Sequence, residues 1–558
     1  MADSTAAAAG HAVGTTAPIS EDADSPAPLP PMSPRLGLVP DHAAWGRVIA
    51  RGTASSPVTR RLRGQPGSGV GTTDNDTLTR LNREGYDRIE ENPFLAVRDN
   101  PLSTFSADVD RAAYGNMRRY LGQLDRPPAD AIRIEELVNY FPYSLPEPRG
   151  TDPLSISTDV MPAPWEPRHR LVRIALQSRR IAAEALPPSN LVFLVDVSGS
   201  MEAPDKLPLV KQSLRLLVEQ LRPQDRVALV TYAGAAGVAL PSTTGDQRRT
   251  IVEALDALEA GGGTAGGAGL ELAYRVAREH FISNGNNRVI LATDGDFNVG
   301  PSSDAALERL IEQKRRDGTY LTVLGFGGGN YQDAKMEKLA KHGNGNYAYV
   351  DELLEARKVM IREMGATLVT VANDVKIQAE FNPALVQAYR LIGYEDRLLR
   401  SEDFADDRRD AGDIGAGHQV TALYEVVPVG VKGTVQLPAV ETSRYGTSRT
   451  EPPKATHTKE LLFVKLRYKQ PGDSTSRLLS HVVPNQVGAG DTDTRFAAAV
   501  ASFGLLLRES AYKGSSSIPG VLRLARSSLG EDRDGFRADF VKLVEVAGSL
   551  TERSDRQR

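Results

Sequence analysis

Residues 191–201 read LVFLVDVSGSM. The stretch begins with apolar residues typical of a buried strand and ends at an acid, Asp196, which is followed by Ser198 and Ser200. Side chains of an extended chain alternate between two faces, so Asp196, Ser198 and Ser200 point the same way. The stretch therefore predicts a strand that brings one carboxylate and two hydroxyls to a single place.

Similar apolar strands recur further along the chain, and stretches of helical periodicity separate them. The predicted strands span 191–196, 226–232, 288–293 and 320–326. The predicted helices lie near 205–221, 246–260, 267–282 and 303–317. Apolar strands that alternate with helices are typical of a parallel sheet covered on both faces and joined by right-handed crossovers. We therefore expect an α/β fold with a doubly wound, mostly parallel, Rossmann-like sheet.

The regions on either side of this pattern differ from it. Residues 1–93 are rich in Ala, Pro, Ser, Gly and Thr, which predicts a disordered tail because such a segment buries too little apolar surface to offset its ordering entropy. Residues 94–185 predict a small N-terminal unit of helices and strands. The α/β domain is expected at 186–366, and 367–558 predict a C-terminal antiparallel β plus helical unit.

Composition narrows the classes of function. Lys and Arg number 67 against 71 Asp and Glu, so nothing in the charge indicates nucleic acid or an acidic substrate. The absence of cysteine excludes disulfides, thiolate metal sites, a cysteine nucleophile and a lipid-bearing cysteine. The first residues lack the basic region and apolar run of a signal peptide, and no stretch has the length of a transmembrane segment. We therefore expect a soluble chain that is not exported.

Polar residues that follow the strands mark a candidate site. Asp294 comes directly after the third strand, in TDG, and Thr264 lies in the glycine-rich stretch GGGTAGGAG. In open α/β sheets, ligands bind beyond the carboxyl ends of the strands, where the strand order reverses. We therefore expect Asp294 and Thr264 to meet Asp196, Ser198 and Ser200 at one edge of the sheet.

Two carboxylates and three hydroxyls suit a hard divalent cation. Mg²⁺ takes about six oxygen ligands in a near-octahedral array and usually keeps some waters. The site loops contain neither histidine nor cysteine, which argues against zinc. The pattern therefore predicts Mg²⁺, with Mn²⁺ or Ca²⁺ as alternatives, and one coordination position left for a carboxylate of a partner.

The motif D-x-S-x-S at 196–200, together with Thr264 and Asp294, resembles the metal-ion-dependent adhesion site (MIDAS) of von Willebrand factor type A (vWA) domains. The resemblance implies that Ser198 and Ser200 coordinate Mg²⁺ directly. It also implies that Thr264 coordinates directly or through water, and that Asp196 and Asp294 act chiefly through water.

The resemblance extends beyond the motif. NPLSTFSADVDRAAYGNMRRYL at 100–121, YRLIGYEDRLL at 389–399 and DAGDIGAGHQVTALYE at 410–425 are similar to the flanking regions of a bacterial group of vWA proteins. Members of that group are mostly predicted cell-envelope proteins and often lipoproteins, which implies the cell envelope as the alternative location. The lack of cysteine is a departure from the lipoproteins.

Enzymatic interpretations fit the sequence less well. GFGGGN at 325–330 lacks the third glycine of a dinucleotide-binding motif, and GGGTAGG at 261–267 lacks the Gly-Lys-Ser/Thr of a P-loop. Phosphatases of the haloacid dehalogenase type need an acid two residues after the nucleophile, where this chain has Ser198, and a hydroxyl is too weak an acid to replace it. We expect a non-enzymatic module that binds a protein partner presenting Asp or Glu. The alternatives are a scaffold whose metal makes the loops rigid and, less favoured, a metal-assisted hydrolase.

Overall fold

A computed structural model describes most of the chain after the N-terminal segment. The described residues are 84–263, 266–295, 304–328, 332–363, 369–409, 411–435, 437 and 459–557. All of them belong to one unit, Thr73–Arg558. Most of the predicted tail, residues 1–83, lies outside the described residues.

The strands and helices are numbered here in chain order. The strands are β1 (Leu95–Ala96), β2 (Leu102–Ser106), β3 (Leu154–Ala163), β4 (Glu166–Ser178), β5 (Ser189–Asp196), β6 (Arg226–Tyr232), β7 (Ala236–Thr244), β8 (Asn286–Thr293), β9 (Thr319–Phe326), β10 (Tyr347–Val350), β11 (Thr370–Phe381), β12 (Val386–Ile392), β13 (Leu398–Leu399), β14 (Gly412–Gly415), β15 (Gln419–Pro428), β16 (Glu460–Lys469) and β17 (Ser476–Pro484). The helices are α1 (Ala112–Gly122), α2 (Ile134–Asn139), α3 (Leu207–Val218), α4 (Arg248–Asp256), α5 (Gly266–Glu279), α6 (Asp304–Arg316), α7 (Asp333–His342), α8 (Leu353–Arg357), α9 (Thr492–Leu507), α10 (Ile518–Arg526) and α11 (Phe536–Gln557).

The central sheet has the strand order β10-β9-β8-β5-β6-β7. Neighbouring strands are parallel except β6 and β7, which are antiparallel. Every residue of β5 and of β8 is buried, because helices cover both faces of the sheet. The predicted doubly wound, mostly parallel α/β fold is confirmed.

Alternating residues of β5 supply the two cores on either side of the central sheet. Phe193 and Val195 pack on one face with Leu214 of α3. Val192 packs on the opposite face with Leu270 of α5. An apolar residue at every position of the strand is therefore needed, since both faces are removed from water. The result is a fixed central strand, and the functional loop begins where that strand ends.

Two antiparallel sheets flank the central domain. Their strand orders are β1-β12-β15-β4-β3 and β13-β2-β11-β16-β17. Ile174 of β4 and Ile377 of β11 share one buried cluster between these sheets. Strands from 94–185 and from 367–558 therefore lie in the same sheets, although the sequence pattern treats them as separate units. Alternation of apolar residues identifies a strand but not its partner. The sequence pattern alone therefore does not reveal that strands from the two flanking regions pair with each other.

The folded part also begins earlier than the composition predicts. Asn92 is buried, and its side-chain amide donates hydrogen bonds to the backbone oxygens of Leu391 at 3.2 Å and of Gly393 at 2.8 Å. The composition predicts a tail through residue 93 because the segment buries little apolar surface, whereas the polar side chain of Asn92 is itself buried and satisfied by backbone acceptors. Within the described residues, no helix combines the length and apolar character needed to cross a membrane.

Candidate metal centre at the carboxyl edge of the central sheet

The strand order of the central sheet reverses between β5 and β8. From β5 the chain continues outward through β6 and β7, whereas β8 lies on the other side of β5 and leads to β9 and β10. Such a reversal opens a crevice at the carboxyl ends of the two strands. Asp196 is the last residue of β5, and Asp294 directly follows β8. The two predicted carboxylates therefore lie at the place where α/β sheets bind ligands.

The loop after β5 turns at once and holds the two serines together. Ser198 is followed by a 3₁₀ turn, Gly199–Glu202. The hydroxyl oxygens of Ser198 and Ser200 are 3.1 Å apart. Ser198 is buried while Ser200 is exposed, so the hydroxyl pair lies at the boundary between the protein interior and solvent.

The distance between the serine oxygens tests whether a metal fits. Neighbouring ligands of an octahedral Mg²⁺, each about 2.1 Å from the ion, are about 3.0 Å apart. The 3.1 Å between Ser198 Oγ and Ser200 Oγ matches this spacing. In the structure the two hydroxyls share a hydrogen bond, and their spacing is compatible with adjacent ligands of a small divalent cation.

Asp196 is held in a fixed orientation by hydrogen bonds. Its Oδ1 accepts from the Ser198 backbone N–H at 2.9 Å, and its Oδ2 accepts from the Tyr232 hydroxyl at 2.9 Å and from the Thr293 hydroxyl at 3.3 Å. Burial raises the pKa of Asp196, the charge of Asp294 raises it further, and the hydrogen bonds from Ser198 oppose both effects. The charged form of Asp196 is therefore stabilised when a cation is nearby.

Asp294 is paired with a residue that the sequence analysis missed. The ammonium group of Lys206 lies 2.8 Å from Asp294 Oδ2, and Lys206 and Asp294 are both buried. Lys206 directly precedes α3, where the helix dipole disfavours a positive charge. No sequence signal marks Lys206, because its pairing with Asp294 depends on the order of the strands in the sheet.

Thr264 lies outside the described residues, but the loop that carries it is anchored beside the serines. The Gly261 N–H donates to the Val197 backbone oxygen at 2.8 Å, and the Gly199 N–H donates to the Gly262 backbone oxygen at 3.1 Å. Gly262 has φ +84°, a left-handed conformation that suits glycine. The structure therefore brings together Asp196, Ser198, Ser200 and Asp294 and ties the glycine-rich loop to the serine loop.

The chemistry of the site favours a hard cation. Its described side chains offer two carboxylates and two hydroxyls, which are the ligand types that Mg²⁺ prefers. Across the part of the chain that the structure describes, histidine, cysteine, aspartate and glutamate form no group of three or more able to hold a metal. All four described donors are oxygens, a donor set that fits Mg²⁺ better than zinc.

Three family models match successive parts of the chain. Residues 190–361 match the von Willebrand factor type A domain, and residues 80–173 match a model described as von Willebrand factor. Residues 366–550 match the model described as "Uncharacterized protein YfbK, C-terminal".

Comparisons with individual proteins agree with the family models. The chain is 44% identical over 475 residues to "Uncharacterized protein YfbK" of Escherichia coli (strain K12), a match that covers 84% of this chain and 81% of that protein. Human inter-alpha-trypsin inhibitor heavy chain H3 is 28% identical over 182 residues, which covers 30% of this chain and 20% of that protein. A solved structure, von Willebrand factor type A from Catenulispora acidiphila, aligns at 18% identity with a TM-score of 0.36 and covers 69% of this chain and 88% of its own. The identity of 44% over 81% of YfbK shows that the chain belongs to the family of vWA-domain proteins that includes YfbK.

Proposed function

We propose that this protein is a Mg²⁺-dependent binding module that recognises a carboxylate on a partner protein. The vWA domains form a general family of protein-interaction modules, and this chain carries one. The observation that supports a metal-dependent mode is the pair of serine oxygens 3.1 Å apart, beside two buried carboxylates at the switch point of the sheet.

The residues of the site would have two roles, as neutral ligands of the cation and as negative charges that balance it. Ser198 and Ser200 would hold the cation through neutral oxygens, while Asp196 and Asp294 would supply the balancing negative charge, with Thr264 a further ligand from the adjacent loop. A bound Mg²⁺ would supply an electron-poor coordination position for an Asp or Glu of the partner. Mn²⁺ or Ca²⁺ would serve in the same way, with a preference set by the size of the site.

The contacts of Asp196 favour binding over catalysis. Three protein donors occupy its carboxylate, namely the Ser198 N–H and the hydroxyls of Tyr232 and Thr293. A carboxylate so occupied is a weak nucleophile, because its lone pairs are already shared with hydrogen-bond donors. A metal contact to a partner carboxylate needs no such nucleophile and gains strength from the exclusion of water at the interface.

The direct test is Mg²⁺ titration calorimetry on the full chain. Ser198→Ala removes one proposed ligand, and we expect at least a tenfold loss of Mg²⁺ affinity, about 1.4 kcal/mol. Ser213→Ala is the matched control, because Ser213 is also buried but donates its hydroxyl to the Leu209 backbone oxygen within α3, at 2.7 Å. Equal Mg²⁺ affinity in the wild type and Ser198→Ala would refute the site.

A second experiment separates a binding module from a scaffold. Partners are captured on the immobilised full chain in Mg²⁺, and the column is then washed with EDTA. A partner that bridges to the metal through a carboxylate should elute, and Ser198→Ala should fail to capture it. Partners that stay bound in EDTA would favour the scaffold, in which the metal only makes the loops rigid.

A further inference from the structure

A buried lysine, Lys206, is paired with Asp294, one of the two carboxylates of the proposed metal site. The side chain of Lys206 is 10% exposed, that of Asp294 is fully buried, and their charged atoms are 2.8 Å apart. Buried carboxylates need a counter-charge, since burial removes the water that would otherwise stabilise them. Lys206 supplies that charge to Asp294 from within the chain.

The path of the lysine side chain is built into the fold. Its methylene groups run across Gly327, which directly follows β9 and has φ +68°. A Cβ at this position would lie 2.5 Å from both Cγ and Cε of Lys206, closer than real atoms approach. The carboxyl end of β9 therefore leaves room for the lysine to reach Asp294 only because residue 327 has no side chain.

A second cation near this loop, Arg119, forms an ion pair with a residue outside the site. Arg119 approaches the next residue, Gly328, where a Cβ would lie 2.8 Å from its Nη1. Its Nη2, however, donates to Glu84 at 2.7 Å, so this arginine already has a counter-ion in the N-terminal segment. Lys206, by contrast, directs its ammonium group to Asp294 of the site.

We infer that Lys206 is a tethered counter-ion that neutralises Asp294 in the metal-free protein and lowers the affinity of the site for Mg²⁺. The inference rests on the proposed function, because it assigns a regulator to that same metal. Asp196 and Asp294 together carry two negative charges, and the ammonium cancels one of them. An incoming cation meets a less negative site and must share Asp294 with the lysine, since like charges a few ångströms apart repel. The lysine therefore stabilises the metal-free site and raises the free Mg²⁺ concentration at which the site fills.

The change in Mg²⁺ affinity when Lys206 is removed distinguishes a counter-ion from a purely structural lysine. If Lys206 served only to hold Asp294 in place, removing it would weaken both the fold and the binding of Mg²⁺. If it is a counter-ion, removing it weakens the metal-free fold but strengthens Mg²⁺ binding. The two quantities must be measured on the same variant.

The test compares Lys206→Met, which keeps the length of the stem but removes the charge, with wild type in the full chain. In EDTA we expect the melting temperature to fall by roughly 5 °C, because Asp294 is left buried without its counter-ion. In calorimetry with MgCl₂ we expect binding about tenfold tighter than wild type, which corresponds to about 1.4 kcal/mol. Lys211→Met, on the helix α3 that Lys206 precedes, is the matched control, because Lys211 Nζ donates to the Asp256 backbone oxygen at 3.0 Å.

The outcomes distinguish this inference from the proposed function. If Lys206→Met binds Mg²⁺ as well as or more weakly than wild type, while Ser198→Ala loses at least tenfold in affinity, Lys206 is not a counter-ion of this kind and the metal site remains supported. If wild type and Ser198→Ala give the same Mg²⁺ binding isotherm, the metal site is refuted, and the inference about Lys206 is refuted with it. Should Lys206→Met fail to fold in EDTA, Lys206→Gln is measured in its place, since its amide still donates to Asp294 without a charge. Tighter Mg²⁺ binding by either variant supports the inference.

Discussion

Two buried tyrosines in the same core cluster provide a test of how Asp196 is held. Tyr232 ends β6, Tyr274 lies on α5, and both pack against the same face of the central sheet. The Tyr232 hydroxyl donates to Asp196 Oδ2 at 2.9 Å. The Tyr274 hydroxyl is buried and has no hydrogen-bond partner among the described residues. Replacing either tyrosine by phenylalanine removes one hydroxyl oxygen from the same core. We expect Tyr232→Phe to lower the free energy of unfolding and Tyr274→Phe to leave it unchanged or to raise it.

The structure sets the size of the difference. A hydrogen bond to a charged group contributes about 1.5 to 3 kcal/mol, so Tyr232→Phe should lower the free energy of unfolding by about 2 kcal/mol. Asp196 keeps its hydrogen bonds from the Ser198 N–H and the Thr293 hydroxyl, which limits the loss. Tyr274→Phe removes an unpaired buried hydroxyl and should be neutral or stabilising by up to about 1 kcal/mol.

Urea unfolding in EDTA, followed by circular dichroism, measures both variants without interference from bound metal. The free energy of unfolding of Tyr274→Phe should exceed that of Tyr232→Phe by at least about 2 kcal/mol. If the two variants lose the same stability, the reasoning from hydrogen bonds is wrong, and the tyrosines contribute through packing alone.

Two further predictions concern charges buried between the central domain and its flanks. Burial raises the pKa of Asp110 to about 7 and that of Asp333 to about 6. Both lie above the unfolded value of 3.8, so the folded state binds more protons and the free energy of unfolding should fall as the pH rises from about 4 to 7. Urea titrations at several pH values measure how the free energy of unfolding changes with pH. Asp110→Asn and Asp333→Asn should each reduce this change, and an unaltered pH dependence in both variants would contradict the raised pKa values. Arg118 pairs with Asp351 at 2.6 Å and with Glu355 at 2.7 Å; Arg118 and Glu355 are buried, and the Asp351 side chain is only 9% exposed. Arg118→Met should therefore cost about 3 to 5 kcal/mol in the same assay, and a loss below about 1 kcal/mol would contradict the pairing.

The central sheet could be predicted from sequence because its strands carry strong local signals. The predicted strand 191–196 corresponds to β5, and the predicted helix 303–317 corresponds to α6. The pattern missed β7, the antiparallel edge strand, which is half exposed and contains Pro241, so it lacks the continuous apolar run of its neighbours. The pattern also missed β10, which is only four residues long.

The site could be predicted only as far as its motif extends. Asp196, Ser198 and Ser200 are neighbours in sequence, and Asp294 follows a recognisable strand. Lys206 has no such mark, because its relation to Asp294 depends on the lateral order of β5, β8 and β9 and on a missing side chain at Gly327. Strand order is set by long-range packing, which hydrophobic periodicity does not encode.

The flanking segments help to position the loop across which Lys206 passes. The Tyr349 hydroxyl, at the end of β10, donates to the Gly327 backbone oxygen at 2.9 Å, and the guanidinium of Arg119 on α1 lies 5.6 Å from the centre of the Tyr349 ring. Helix α1 packs so closely here that a Cβ at Gly115 would lie 2.9 Å from the Tyr349 backbone oxygen. The N-terminal segment therefore supports, through β10, the same loop that gives Lys206 its path to the site. An isolated vWA domain would lack this support, so under the proposed function its Mg²⁺ affinity should differ from that of the full chain.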